Sequence, residues 1–71
     1  MTLSEIFKGL PPDMKFRSHV NGEIKTASQW AEEMENEKSE AKIHDSKFNY
    51  GKTILKTIYF PGVGPAFTES T

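Results

Sequence analysis

The sequence predicts a small α+β domain in which helices pack on one face of a single sheet. Apolar residues recur at helical spacing in two segments, alternate with polar residues in a third, and share a fourth with β-branched residues. The expected order is a helix, a hairpin, a second helix and one or two further strands, within residues 1–60. Residues 61–71 contain two prolines and two glycines, so we expect them to form a flexible C-terminal tail.

The first helix is predicted to begin after Thr2, because Thr2 and Glu5 have the spacing of a capping box. The apolar positions that follow at helical spacing are Leu3, Ile6, Phe7 and Leu10. Gly9 and the prolines at 11–12 end the run after about two turns.

A hairpin is predicted next, because residues 14–20 alternate between apolar and polar side chains and Asn21–Gly22 follows them. A two-residue Asn-Gly loop would bring polar groups onto the apolar face of the hairpin. A three-residue loop ending at Gly22 pairs Ser18 with Ile24 instead, so we favour this register.

The second helix is predicted over residues 28–42, which are good helix formers without glycine or proline. Thr26 or Ser28 can cap it, and Gln29 stands at the third helical position if Thr26 is the cap. The predicted inward stripe is Trp30, Ala31, Met34, Lys38 and Ala41. Beyond the helix, residues 42–48 are weakly typical of a strand, and residues 52–60 form the strongest predicted strand.

Charge is unevenly distributed although the formal net charge is only -1. Residues 30–41 carry five glutamates and one lysine, whereas residues 42–60 carry four lysines and one aspartate. We therefore expect an acidic face on the second helix that docks on a basic surface of another protein. The residues of this predicted acidic face are Glu32, Glu33, Glu37 and Glu40.

The apolar strand before residue 61 is predicted to supply a second contact. If this strand lies at the edge of the sheet, it can pair with a partner or with a second copy, which would give a homodimer. The predicted edge and aromatic contacts are Tyr59, Phe60 and Phe67.

A basic and aromatic sheet surface is the alternative prediction, because cations and rings on a sheet hold single-stranded nucleic acid. The candidate residues are Lys15, Arg17, His19, Lys47, Lys52, Lys56 and Tyr50. The net charge of -1 argues against nucleic acid, since domains that bind it are usually basic.

Sequence motifs for catalysis are weak. The segment 46–53 resembles a phosphate-binding loop but has Ser46 in place of the first glycine, and it precedes a predicted strand rather than a helix. The chain has no cysteine, and its two histidines, His19 and His44, are far apart in the sequence rather than clustered as metal ligands usually are. We therefore expect no cofactor, metal or catalytic residue, and keep a small enzyme only as a second alternative. We also expect no membrane segment and a cytoplasmic location.

These patterns together predict a non-enzymatic protein-binding module that acts as an inhibitor or regulator. Such a role is typical of small cysteine-free proteins without catalytic motifs, phage-type proteins among them.

Overall fold

The structure, a computed structural model, describes residues 1–47 and 54–70. Its elements are α1 (Leu3–Lys8), β1 (Lys15–Ser18), β2 (Ile24–Thr26), α2 (Ala27–Glu33), β3 (Lys42–Lys47), β4 (Ile54–Phe60) and β5 (Gly64–Glu69). The strands form one antiparallel sheet in the order β2-β1-β5-β4-β3. The prediction of a small single-sheet α+β domain is confirmed.

Both helices begin at capping boxes. In α1 the Thr2 hydroxyl accepts from the Glu5 backbone N–H at 3.4 Å, and the Glu5 side chain returns a bond to the Thr2 N–H. In α2 Thr26 and Gln29 make the same reciprocal pair. Each pair satisfies backbone N–H groups that the helix itself leaves unbonded, so each fixes where its helix starts.

The second helix is shorter than predicted: α2 ends at Glu33, and Met34 is its C-cap. Ala41 was expected on this helix, but it lies beyond the end of α2, buried in the core. Its N–H donates to the Met1 carbonyl oxygen at 2.7 Å. Helix propensity over residues 34–42 is overridden by this tertiary contact, which requires the chain to turn back toward β3.

The hairpin register differs from the prediction by one residue. Arg17 lies opposite Ile24, and a four-residue loop replaces the three-residue loop that we expected. The Gly22 N–H donates to the Ser18 carbonyl oxygen at 2.9 Å, and Gly22 has φ +73°. The His19 N–H donates to Ala66 in the neighbouring strand, which draws His19 out of the hairpin ladder.

The predicted tail is instead the central strand of the sheet, and the flexible-tail prediction for residues 64–69 is wrong. Pro61 and Gly62 form a tight turn, closed by a 2.9 Å bond from the Val63 N–H to the Phe60 carbonyl oxygen. Gly62 has φ +81°, as the third residue of a type II turn requires. Pro65 stands beside a register shift, where a strand tolerates a residue without an N–H.

Aromatic packing joins the helices to the sheet. Phe7 of α1 contacts Phe16 and Phe67 edge-to-face, with ring centroids 5.4 and 5.2 Å apart. Trp30 of α2 contacts Phe67 at 4.8 Å, and its indole N–H donates to the Phe16 carbonyl oxygen at 2.9 Å. Phe16, Phe67 and Ile58 project from the same face of the sheet, which we name the core face; the opposite face is the outer face.

Candidate binding surfaces

One row of side chains crosses the outer face on all five strands. Arg17 lies opposite Ile24 on one side and Thr68 on the other, Thr68 lies opposite Thr57, and Thr57 lies opposite His44. Directly opposed residues of antiparallel strands share a face, so this row runs from β2 to β3. Four strand spacings of about 4.8 Å give the row a length of about 19 Å.

Basic side chains flank this row. Lys15 and Lys42 alternate onto the outer face with Arg17 and His44, and all four side chains are exposed. His19 reaches the same face, because its Nε2 lies 2.6 Å from the Thr68 hydroxyl. We name Lys15, Arg17, His19, Lys42 and His44 the basic face.

An aromatic ring adjoins the basic face at its β3–β4 end. The centroids of the Tyr59 ring and the His44 imidazole are 5.0 Å apart, with 43° between the ring planes. Tyr59 is half-buried and lies opposite Lys42 in the sheet. Tyr59 was predicted as a contact on a strand edge, but β4 lies between β5 and β3 and is not an edge strand.

The acidic residues of the described strands alternate away from the basic face. Asp45 lies opposite Lys56 and accepts from its ammonium at 3.0 Å. Glu69 lies opposite Phe16, and its Oε1 accepts from the Lys56 backbone N–H at 3.1 Å. Lys56, a predicted nucleic-acid contact, therefore lies on the core face. Of the other predicted contacts, Tyr50, Lys52 and the Lys47 side chain fall outside the described residues.

A shallow cavity of 250 Å³ lies next to Arg17. Its walls are Arg17, Leu55, Thr68, Glu69 and Ser70. The cavity combines one guanidinium with two hydroxyl groups, and the nearby Glu69 carboxylate is engaged with the β4 backbone. It can accommodate a small anionic group beside the basic face.

The predicted acidic helix face is divided by the early end of α2. Glu33 is on the helix and bonds Lys25 at 2.6 Å, whereas Glu37 and Glu40 lie in the segment that follows. The hydrogen bonds that the Lys25 ammonium donates to the Glu33 carboxylate and, with a smaller effect, to that of Glu23 raise the pKa of Lys25. The expectation that all four glutamates share one helix face is therefore wrong.

Two of these glutamates instead line a groove with apolar residues. The groove has a volume of 390 Å³ and is lined by Glu37, Ser39, Glu40, Phe60, Pro61 and Val63. Hydrogen bonds from Ser39 lower the pKa of Glu37 and hold its carboxylate ionised, and Glu40 pairs with the N-terminal ammonium at 2.5 Å. Val63 is 84% exposed at the β4–β5 turn. We name this feature the acidic groove.

The three predicted aromatic contacts have separate positions. Phe60 is half-buried and lines the acidic groove, and Tyr59 adjoins the basic face. Phe67 is 5% exposed and packs between the two helices, so it is a core residue rather than a surface anchor. Side chains alternate between the two faces along a strand, so residues 42 and 44 share the face opposite to residue 43. This alternation identifies Lys42 and His44 as outer-face residues, although neither was predicted as a contact from the sequence.

Within residues 1–47 and 54–70, no three histidine, aspartate or glutamate side chains lie close enough together to hold a metal ion. In the same part of the chain, neither helix has the length and apolar character that crossing a bilayer requires.

Comparison of the chain with protein-family models, with curated proteins and with solved structures finds no match.

Proposed function

We propose that the chain is a non-enzymatic protein-binding module, an inhibitor or regulator, that holds a basic and partly apolar segment of another protein in the acidic groove. The observation that carries the proposal is the meeting of two ionised carboxylates with exposed apolar surface. Glu37 and Glu40 line one side of the groove, and Phe60 and Val63 supply the apolar part.

The chemistry of the groove defines the partner. A lysine or arginine of the partner would pair with Glu37, whose carboxylate is already oriented by the Ser39 N–H at 3.1 Å. An apolar side chain beside that cation would cover Val63 and the exposed part of Phe60. The carboxylates supply selectivity and a fast encounter, and the apolar contact supplies the desolvated anchor.

We also propose that both helices cover the core face and leave Arg17 and His44 on the outer face exposed to solvent, while Thr57 between them is buried. Support comes from the contacts of Phe7 and Trp30, which come from different helices and meet the same Phe67 ring. The exposed Arg17 and His44 on the opposite face agree with this arrangement.

Charge reversal in the groove tests the proposed function. The double variant Glu37→Lys/Glu40→Lys should lose the partner, because the attraction of Glu37 for its cation is lost and two positive charges then repel that cation. The matched control is Glu32→Lys/Glu35→Lys, which makes the same change of charge outside the groove. The measurement is quantitative recovery of proteins from the native host on immobilised wild-type and variant chains.

The expected result is at least one host protein that wild type and control retain and that the groove variant loses about tenfold or more. A third variant, Val63→Ser, should weaken the same protein without any change of charge. Identical recovery on all chains, or equal loss on the groove variant and its control, would overturn the proposal.

A further inference from the structure

We propose that the basic face binds single-stranded nucleic acid, at a surface separate from the acidic groove. The structure brings three permanently charged side chains, Lys15, Arg17 and Lys42, together with two histidines onto one exposed face of the sheet. These residues come from β1, from the loop that follows it, and from β3, which is distant in the sequence. This proposal does not depend on the proposed function, because none of its residues lines the groove.

Charge complementarity identifies the occupant as an anion. The described strands carry two carboxylates, Asp45 and Glu69, and both alternate to the core face, where Lys56 contacts them. The near-neutral net charge of the chain therefore conceals a face whose charged residues are cations, with one carboxylate, that of Glu69, at the wall of the cavity beside Arg17. The cations lie toward the two ends of the row, Lys15 and Arg17 on β1 and Lys42 on β3, about three strand spacings or 14 Å apart, and Thr57 between them is buried. A polyanion therefore meets attraction at these two places on the outer face.

The ring pair at the end of this face selects nucleic acid among polyanions. Tyr59 and His44 lie 5.0 Å apart on the same side of the sheet as Lys42. A base that stacks on these rings would place its phosphate near Lys42, and the next phosphates would run toward Arg17. Bases must be unpaired to stack in this way, so a single strand fits the face better than a duplex.

The cavity beside Arg17 gives the strand a second fixed point. Arg17, Thr68 and Ser70 offer a guanidinium and two hydroxyl groups to one phosphate, and the Glu69 carboxylate that also lines the cavity accepts from the Lys56 N–H. The His19 imidazole is hydrogen-bonded to the Thr68 hydroxyl and orients it beside the cavity. The contacts are to backbone and ring faces, so we expect little dependence on base sequence.

The test is fluorescence anisotropy with labelled single-stranded DNA and RNA of about 12 nucleotides, a length within the site sizes of small single-strand-binding folds. Affinity should fall with salt with a log–log slope of about -2, since each of three neutralised phosphates contributes about -0.7. Arg17→Gln should bind about tenfold more weakly and reduce the slope to about -1.4. The matched control is Lys8→Gln on α1, which removes one exposed positive charge away from the basic face and should bind as wild type does.

A second pair of variants separates stacking from charge. Tyr59→Leu should weaken binding about tenfold without changing the salt slope, and Tyr59→Phe should retain the wild-type affinity. Thermal unfolding of each variant identifies those that remain folded, and only these enter the comparison.

Three results would overturn the proposal. One is the absence of oligonucleotide binding by the wild-type chain at about 50 mM salt, where phosphate contacts are strong. Another is equal weakening by Lys8→Gln and Arg17→Gln. The last is tighter binding to vesicles of anionic lipid or to polyglutamate than to the oligonucleotides, which would assign the face to a membrane surface or to an acidic protein.

Discussion

Phe67 contacts aromatic side chains from both helices, so a single ring connects α1, α2 and the sheet. It packs edge-to-face against Phe7 and Trp30 and lies opposite Ile58 in the sheet. Such ring pairs stabilise beyond the area they bury, because the positive edge of one ring meets the negative face of the other. In a chain of 71 residues this contact is a large part of the core.

Phe67→Ala should lower the free energy of unfolding by about 3–5 kcal/mol, the cost of removing a buried aromatic ring and leaving a cavity. That loss is similar to the whole free energy of unfolding of a small domain, so cooperative unfolding should disappear. The control is Val63→Ala, an exposed position where the change should stay within about 0.5 kcal/mol. Urea denaturation followed by Trp30 fluorescence measures both. Equal midpoints for the two variants would contradict the position of Phe67 in the core.

Lys25 shows how the observed register accommodates a charge at the margin of the core. It lies opposite Phe16, and its ammonium is 5.0 Å from the centre of the Trp30 ring and 2.6 Å from the Glu33 carboxylate. Its alkyl chain covers apolar surface while its charged end reaches solvent. The predicted register, which pairs Ser18 with Ile24, places Lys25 on the other face of the hairpin instead.

At the scale of elements, the predictions that rest on local chemistry are confirmed. Both capping boxes depend on residues three positions apart, and the structure contains both. β1 and β2 also pair as antiparallel strands on either side of Asn21–Gly22, a strong short-range hairpin signal. Such signals can be read from the sequence since the interacting groups are neighbours along the chain.

The predictions that failed depend on contacts between distant residues. The residues after Met34 have high helix propensity but are not helical, because Ala41 instead bonds to Met1. No local sequence pattern indicates this bond. The hairpin register depends on the bond between His19 and Ala66, 47 positions apart. The acidic groove and the basic face likewise unite residues from separate elements, so the sequence indicated their residue types but not their grouping.

The hairpin loop supplies a prediction at the scale of elements. Gly22 has φ +73°, so Gly22→Ala should lower the free energy of unfolding by about 1–2 kcal/mol although space is open around it. Gly9, the C-cap of α1, has φ -83°, and an added Cβ would meet its nearest atom at 3.6 Å, an ordinary contact. Gly9→Ala should therefore stabilise the chain by about 0.4–1 kcal/mol through a less flexible unfolded state.

Thermal or urea unfolding of the two variants beside the wild-type chain measures these opposite effects. A stabilising Gly22→Ala would contradict the left-handed conformation of the loop, and a strongly destabilising Gly9→Ala would contradict the end of α1 at this residue.

At the scale of the whole molecule, the sheet depends on its last strand. Among the described strands, β5 alone connects the β1–β2 pair to the β3–β4 pair, with β1 on one side and β4 on the other. It also brings Ala66 and Phe67 into the core. The type II turn at Pro61 and Gly62 was the available signal for a further strand, because Pro-Gly can reverse a strand as well as end one.

A chain truncated after Phe60 should therefore fail to fold. Without β5, the β1–β2 hairpin has no hydrogen-bonded connection to β3 and β4, and a two-stranded hairpin is marginal in water. The loss of the Phe67 ring lowers the free energy of unfolding by about a further 3–5 kcal/mol, which is similar to the whole free energy of unfolding of a small domain. Circular dichroism and urea denaturation of residues 1–60 and of the full chain measure the effect.

A synthetic peptide of residues 61–71 added to the truncated chain should restore part of the folded signal, since its strand can re-form both ladders. A truncated chain that unfolds cooperatively with the full-length midpoint would show that residues 61–71 are dispensable for the fold.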